Sequence, residues 1–273
     1  MRIVLWVLIV LVAVVLALAL GLCVRPRPFE SFAEGADLDA LERVPVPDGL
    51  PAPVDRFIRT VYGDTVPVIE SVVMSGRATM RPMFNIPLPA RFRFTHRAGY
   101  DYRHYFEATL FGLPLLKVDE GYVEGASFFE SPMGNYRDDP NSNQGANLAL
   151  WAEAAMFPAL FVTDARVRWA PVDEHTAILY VPFEGAEEAF VVRFSPETGL
   201  IDLMEAMRYR NPGDRDKVLW ITRNEPGLLI PGTPLSATGS ATWLDDGRPW
   251  ASFTAEEARY NADLGRYIHE RGE

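Results

Sequence analysis

Gln144-Gly145-Ala146-Asn147-Leu148-Ala149-Leu150-Trp151-Ala152-Glu153-Ala154-Ala155-Met156-Phe157 is the stretch on which the reading of this chain turns. It is rich in Ala and Leu, which are strong helix formers. Asn141 or Asn143 can cap its start, and Pro158 can end it. From Leu148 to Phe157 the only polar side chain is Glu153. A helix that is apolar on every side requires a core around it.

On both sides of this helix the period is two. Strand-like segments run at about 66–80, 90–96, 100–111, 115–122 and 126–130 before it. After it they run at 166–171, 176–182, 189–194, 200–209, 218–223, 237–244 and 249–260. They are rich in β-branched and aromatic residues, and Gly or Pro separates most of them. Arg91-Phe92-Arg93-Phe94 and Arg166-Val167-Arg168-Trp169 alternate cleanly. Asp245-Asp246-Gly247 is a strong hairpin signal, and Ser195-Pro196-Glu197-Thr198-Gly199 is a second turn. A short helix is expected at 53–61, where Val54, Phe57, Ile58 and Val61 share one face. The expected fold is mainly β. It is a curved antiparallel meander of about 10–12 strands, a half-barrel or open barrel wrapped around one buried helix near 144–157. Residues 51–273 form this single domain.

The chain opens on an uncharged run, Ile3 to Val24, which reaches about 33 Å as a helix and so can cross a bilayer core. Residues 1–24 are read as a transmembrane anchor. A cleaved signal peptide competes, with Arg2 as its basic start and Ala17-Leu18-Ala19 as its cut. A lipidated Cys23 is disfavoured because Leu22 is too large for the preceding position. An N-terminal anchor with so short a head points to an exported C-terminal domain. Residues 25–50, with Pro26, Pro28, Pro45 and Pro47, read as an extended spacer. The net charge of −11 argues against nucleic acid and against docking on anionic lipid. Cys23 is the only cysteine, so the domain has no disulfide.

Several short motifs resemble an uncharacterised bacterial membrane-anchored family known only as a domain of unknown function. They are Leu50-Pro51-Ala52-Pro53-Val54-Asp55-Arg56-Phe57, Gly112-Leu113-Pro114 with Gly121-Tyr122-Val123-Glu124-Gly125, and Ala152-Glu153-Ala154 with Phe157-Pro158. Trp169 followed by Val172-Asp173, and Glu257-Ala258-Arg259-Tyr260-Asn261, extend the resemblance over about Leu50 to Asn261. It implies a bacterial inner-membrane protein with a single span, and it implies no activity. The helix-in-curved-sheet plan is similar in architecture to lipoprotein carriers of the LolA/LolB type, which hold acyl chains.

Candidate chemistry centres on Glu153. A carboxylate among apolar residues can meet a ligand headgroup or act as acid or base; it can equally pair with an inward Arg or reach the rim. Trp151, Met156, Phe157 and Leu148 are the candidate ligand-binding residues beside it, although a filled core recruits the same types. No metal site is expected from the four histidines, because His104 and Glu107 are three apart and so on opposite faces of a strand. No catalytic fingerprint occurs and no cofactor is expected. Arg91, Arg93, Arg97 and Arg103, interleaved with Tyr100, Tyr102 and Tyr105, offer either a phosphate-binding surface or a solvated strand face. The function expected is non-catalytic binding of a hydrophobic or lipid-like ligand by a membrane-anchored exported domain. The alternatives are a module that scaffolds a partner at the membrane, or an enzyme with a site around Glu153.

Overall fold

The structure, a computed structural model, describes residues 2–32, 34–82 and 85–269. Helix α1 (Arg2–Cys23) is followed by strand β1 (Arg43–Pro45), helix α2 (Ala52–Tyr62) and β2 (Thr65–Pro67). A first meander then runs through β3 (Ser71–Met80), β4 (Leu88–Arg97), β5 (Asp101–Leu110), β6 (Leu113–Val123), β7 (Ala126–Ser131) and β8 (Gly134–Arg137). Helices α3 (Pro140–Glu153) and α4 (Leu160–Thr163) follow. A second meander comprises β9 (Arg168–Asp173), β10 (Thr176–Phe183), β11 (Ala186–Phe194), β12 (Ile201–Arg208), β13 (Val218–Leu229), β14 (Ser236–Trp243) and β15 (Pro249–Tyr260).

Strands β3 to β15 form one 13-stranded antiparallel sheet that runs from β8 at one edge to β9 at the other. The sheet is curved and open, not closed into a barrel. Its order explains the buried helix. The first meander runs outward from β3 to β8, and the second runs inward from β9 until β15 pairs with β3. The link between β8 and β9 must therefore cross the sheet from edge to edge, and α3 does so over the concave face. The short β8 carries no clean alternation and was not among the expected strands.

The helix starts earlier than its sequence suggests. Asp139, not Asn141 or Asn143, is the cap, and its side chain accepts from the Ser142 N–H at 2.9 Å. Pro140 occupies the first turn, where it lacks nothing by having no N–H. The α-helix ends at Glu153, and a tighter 3₁₀ turn continues over Ala154–Met156. Leu148, Leu150, Trp151, Phe157 and Phe161 are buried in the core.

Helix α1 stands clear of the domain except at Gly21. There the Phe111 N–H donates to the Gly21 carbonyl at 2.9 Å. A Cβ on Gly21 would lie 2.8 Å from Leu110 and Phe111 side-chain carbons, which would have to shift to admit it. Residues 25–50 lie on the domain: Phe32, Leu38 and Val46 are buried, β1 pairs with β2, and Ala36 bridges to Tyr260.

Candidate functional site

Alternation on β4 and β5 puts Phe92, Phe94 and His96, and Tyr102, His104 and Phe106, on the concave face. All six are buried. The register pairs Phe94 with His104 and His96 with Tyr102, so the two histidines are diagonal neighbours on one face. Phe94 stacks on the His104 ring with centroids 3.8 Å apart, and the Phe157 ring lies 5.4 Å from His96.

Helix α3 brings Glu153 to the same place, and two polar staples hold the helix. Asn143 Oδ1 accepts from the N–H and the hydroxyl of Ser127 on β7, both at 2.7 Å. Gln144 donates to the Met207 carbonyl at 3.0 Å and accepts from the Tyr209 N–H at 3.2 Å, just past the end of β12. Gly145 lets Arg208 approach, since a Cβ there would lie 3.0 Å from its Nε.

Glu153 Oε2 lies 2.8 Å from His96 Nε2 and 2.9 Å from His104 Nε2. These contacts are too close to be indifferent and too bent to be good hydrogen bonds: all three atoms are buried without an aligned partner. On its other side, His104 Nδ1 lies 3.5 Å from Glu120 Oε1. Burial opposes charge on His104, but the carboxylates of Glu153 and Glu120 outweigh it and raise its pKa to about 9. Burial dominates at His96 and lowers its pKa. Burial would raise the Glu153 pKa, yet the two imidazoles bring it down to about 2. These shifts favour charge on Glu153 and His104 and disfavour it on His96. Two imidazoles and a carboxylate also make a donor set that can hold a metal ion, and the three ligand atoms lie within 4.8 Å of one another.

A cavity of about 130 Å³ opens beside this cluster. Phe94, Phe106, Trp220, Trp250, Phe253, Met156 and Met204 form its apolar walls, and Glu153, His104, Glu120 and Arg208 bring charge to it. Arg208 lies over the rings of Trp220 and Trp243, with its carbon 4.4 and 5.6 Å from their centroids. Its Nε is buried without a hydrogen-bond partner, and burial lowers its pKa against the pull of nearby carboxylates and tyrosines.

Of the five residues singled out in the sequence, Glu153 and Met156 line the cavity. Leu148, Trp151 and Phe157 are fully buried around the cluster and do not line it. Spacing along one strand gives no reason to join the histidines, whereas His96 and His104 converge across two strands. Their equal parity with the inward Phe94 and Phe106 is the signal that finds them. Arg208 carried no local signal at all.

The Arg91–Arg103 group lies on the convex face, and it is neither a free basic surface nor simply solvated. Arg91 Nε donates to Glu107 at 2.7 Å, Arg97 pairs with Asp101, and Arg103 grips Asp119 at 2.9 and 2.7 Å. Arg93 is buried under Phe29 and Phe32, and it donates to the Glu30 carbonyl at 2.6 Å.

Two solved structures are similar to this chain at very low identity. A LolA superfamily protein from Nitrosomonas europaea is 8% identical, with a TM-score of 0.49, over 81% of this chain and 99% of its own. A domain assigned as an outer membrane lipoprotein-sorting protein, from Vibrio parahaemolyticus, is 7% identical, with a TM-score of 0.41, over 72% of this chain and 88% of its own. No curated protein matches the sequence. Residues 42–254, most of the folded domain and nearly the span over which the short motifs were quoted, match a single family: the chain belongs to the DUF6544 family, a family of unknown function.

Proposed function

We propose that this protein is a membrane-anchored, extracytoplasmic binding domain for a slender hydrophobic ligand with an anionic end. The observation that carries this reading is the cavity beside α3, with aromatic and Met walls and charged groups gathered at Glu153, His104 and Arg208. Its size limits the ligand. A cavity of about 150 Å³ takes a benzene-sized group, so 130 Å³ admits a short apolar segment as it stands. A longer chain enters only if the Ala154–Met156 turn shifts. Met156 is the flexible side chain at that point.

The membrane half of the reading rests on α1, which is long and apolar enough to span a bilayer. Its C-terminal end is bonded to the β5–β6 hairpin tip, where Phe111, Leu113 and Leu115 are exposed, Leu113 by 69%. Ile86, between β3 and β4, is exposed at the same end of the sheet. The β12–β13 connection at that end is instead charged, with Arg210, Asp214, Arg215, Asp216 and Lys217. Apolar tips thus gather on the side where α1 docks, as a face resting on lipid requires.

The full-length protein, purified in detergent and analysed by native mass spectrometry with lipid extraction, tests the proposal. The parent should carry a bound amphiphile or take up a fluorescent fatty acid. Ala149→Leu, which fills the cavity from α3, should do neither while keeping its fold. A parent that neither retains nor binds such a ligand, or an Ala149→Leu protein that binds as well as the parent, defeats it.

A further inference from the structure

We infer that His96, His104 and Glu153 form a binding site for a divalent transition-metal ion of the zinc class, open toward the cavity. Three separate elements, β4, β5 and the last residue of α3, each contribute one ligand. Such convergence from residues distant in sequence is costly to maintain by accident, because it buries three ionisable groups together. An ion pair between His104 and Glu153 needs only two of them. The third, His96, is fully buried and aims the same Nε2 atom at the same carboxylate oxygen.

The contacts are short without being well aligned as hydrogen bonds. A triad aligns its N–H groups with the acceptor, and here neither ring nitrogen is aligned although both stand within 2.9 Å of it. Donor atoms about 2.0–2.2 Å from a tetrahedral zinc ion lie about 3.4 Å from one another. Spreading the two contacts to Glu153 by about half an ångström reaches that spacing, and the two imidazole nitrogens already lie within 4.8 Å of one another. Glu120, against His104 Nδ1, stands where a carboxylate commonly orients a ligating histidine.

Charge and donor type select the ion. Glu153 and Glu120 together offset a divalent charge. Imidazole and carboxylate donors without a thiolate suit zinc, iron(II) or manganese(II) rather than copper(I). Of the three ligands, His104 and Glu153 line the cavity, so the remaining coordination position faces it. The anionic end of a cavity ligand, or a water, would sit there. The site stands whether or not a hydrophobic ligand is found.

Cobalt(II) is the probe, because its visible absorption reports coordination. The full-length protein, stripped with chelator, should take up cobalt(II) to one ion per chain with an absorption typical of four- or five-coordinate nitrogen and oxygen ligation, and zinc should displace it. Zinc should also raise the melting temperature. His104→Gln and His96→Gln should abolish the absorption and the shift. Glu120→Gln should weaken binding roughly 10–100-fold. Glu174→Gln, exposed in the β9–β10 turn, serves as a control for the loss of a carboxylate and should bind as the parent does. Should a ligand variant fail to fold, the parent's own uptake and shift decide. A parent with no saturable uptake of cobalt, zinc, iron or manganese, or one whose uptake survives His104→Gln and His96→Gln, would leave the cluster as a buried ion pair and overturn the assignment. Ligand retention in the Ala149→Leu test is read separately, so the two can fail independently.

Discussion

Strands β4 and β5 carry two charged constellations back to back, and they are built in opposite ways. On the convex face each arginine meets a carboxylate or carbonyl. Arg103 and Asp119 form a two-point fork, and Arg91, Tyr105 and Lys117 surround Glu107. On the concave face His96, His104 and Glu153 crowd together without alignment, beside a hollow. The outer set is mostly bonded, although Arg93 Nε and Asp101 Oδ2 are buried there without an aligned partner. The inner set gathers three ionisable groups around one carboxylate oxygen, with contacts that are short but not aligned as hydrogen bonds.

The contrast can be broken by mutation. Asp119→Ala removes the fork and leaves Arg103 nearly buried and uncompensated, so urea denaturation should show a loss of roughly 3–5 kcal/mol. Glu153→Gln on the concave face should cost less, roughly 1–3 kcal/mol, because the neutral amide keeps the shape of the site and His104 can become neutral once the carboxylate is gone. If Glu153→Gln proves the more damaging of the two, the inner cluster is a structural ion pair and the contrast is wrong.

Acid titration sharpens the same point. Burial alone would raise the Glu107 pKa, but hydrogen bonds from Arg91 and Tyr105 and the charge of Arg91 hold it below its usual 4.5. A group depressed in this way stabilises the fold above its unfolded pKa, and that stabilisation is lost as pH falls through the folded value. The stability gap between the parent and Glu107→Gln should therefore be full near neutral pH and close as the pH drops below 4.5. A gap that persists undiminished in acid would place Glu107's contribution elsewhere.

The smallest effect on folding is expected at the hairpin tip. Leu113→Ser with Leu115→Ser alters exposed side chains and should change stability by no more than about 0.5 kcal/mol per site. In nanodiscs, however, a fluorophore placed at Lys117 should become more accessible to an aqueous quencher. Equal quenching in parent and variant would show that the tip does not touch lipid.

Much of the fold was legible because it rests on local rules. Alternation marks the long strands, and Val54, Phe57, Ile58 and Val61 define the buried face of α2. The apolar run ending at Phe157 announces a helix inside a sheet. What was not legible depends on topology. Nothing in the order of residues says that β15 returns to β3, or that the helix crosses from one edge to the other. Glu153 was conspicuous as a lone charge, but its partners lie 57 and 49 positions earlier and become its neighbours only through register and crossover. The cap was misplaced for a simpler reason: Asp139-Pro140 is a stronger helix start than either asparagine behind it.

The pairing of β15 with β3 also sets a schedule for the chain. Asn261 accepts hydrogen bonds from the Glu70 and Ser71 backbone N–H groups, a contact spanning 191 residues in the case of Glu70. When the first meander has emerged during synthesis, the free side of β3 is still an open strand edge, and it stays so until nearly the last residues arrive. Contacts of such long range form slowly, and an uncovered edge invites pairing with another chain. A sheet whose first meander waits for β15 to cover β3 stays half-made through most of its synthesis, and so depends on whatever guards nascent chains.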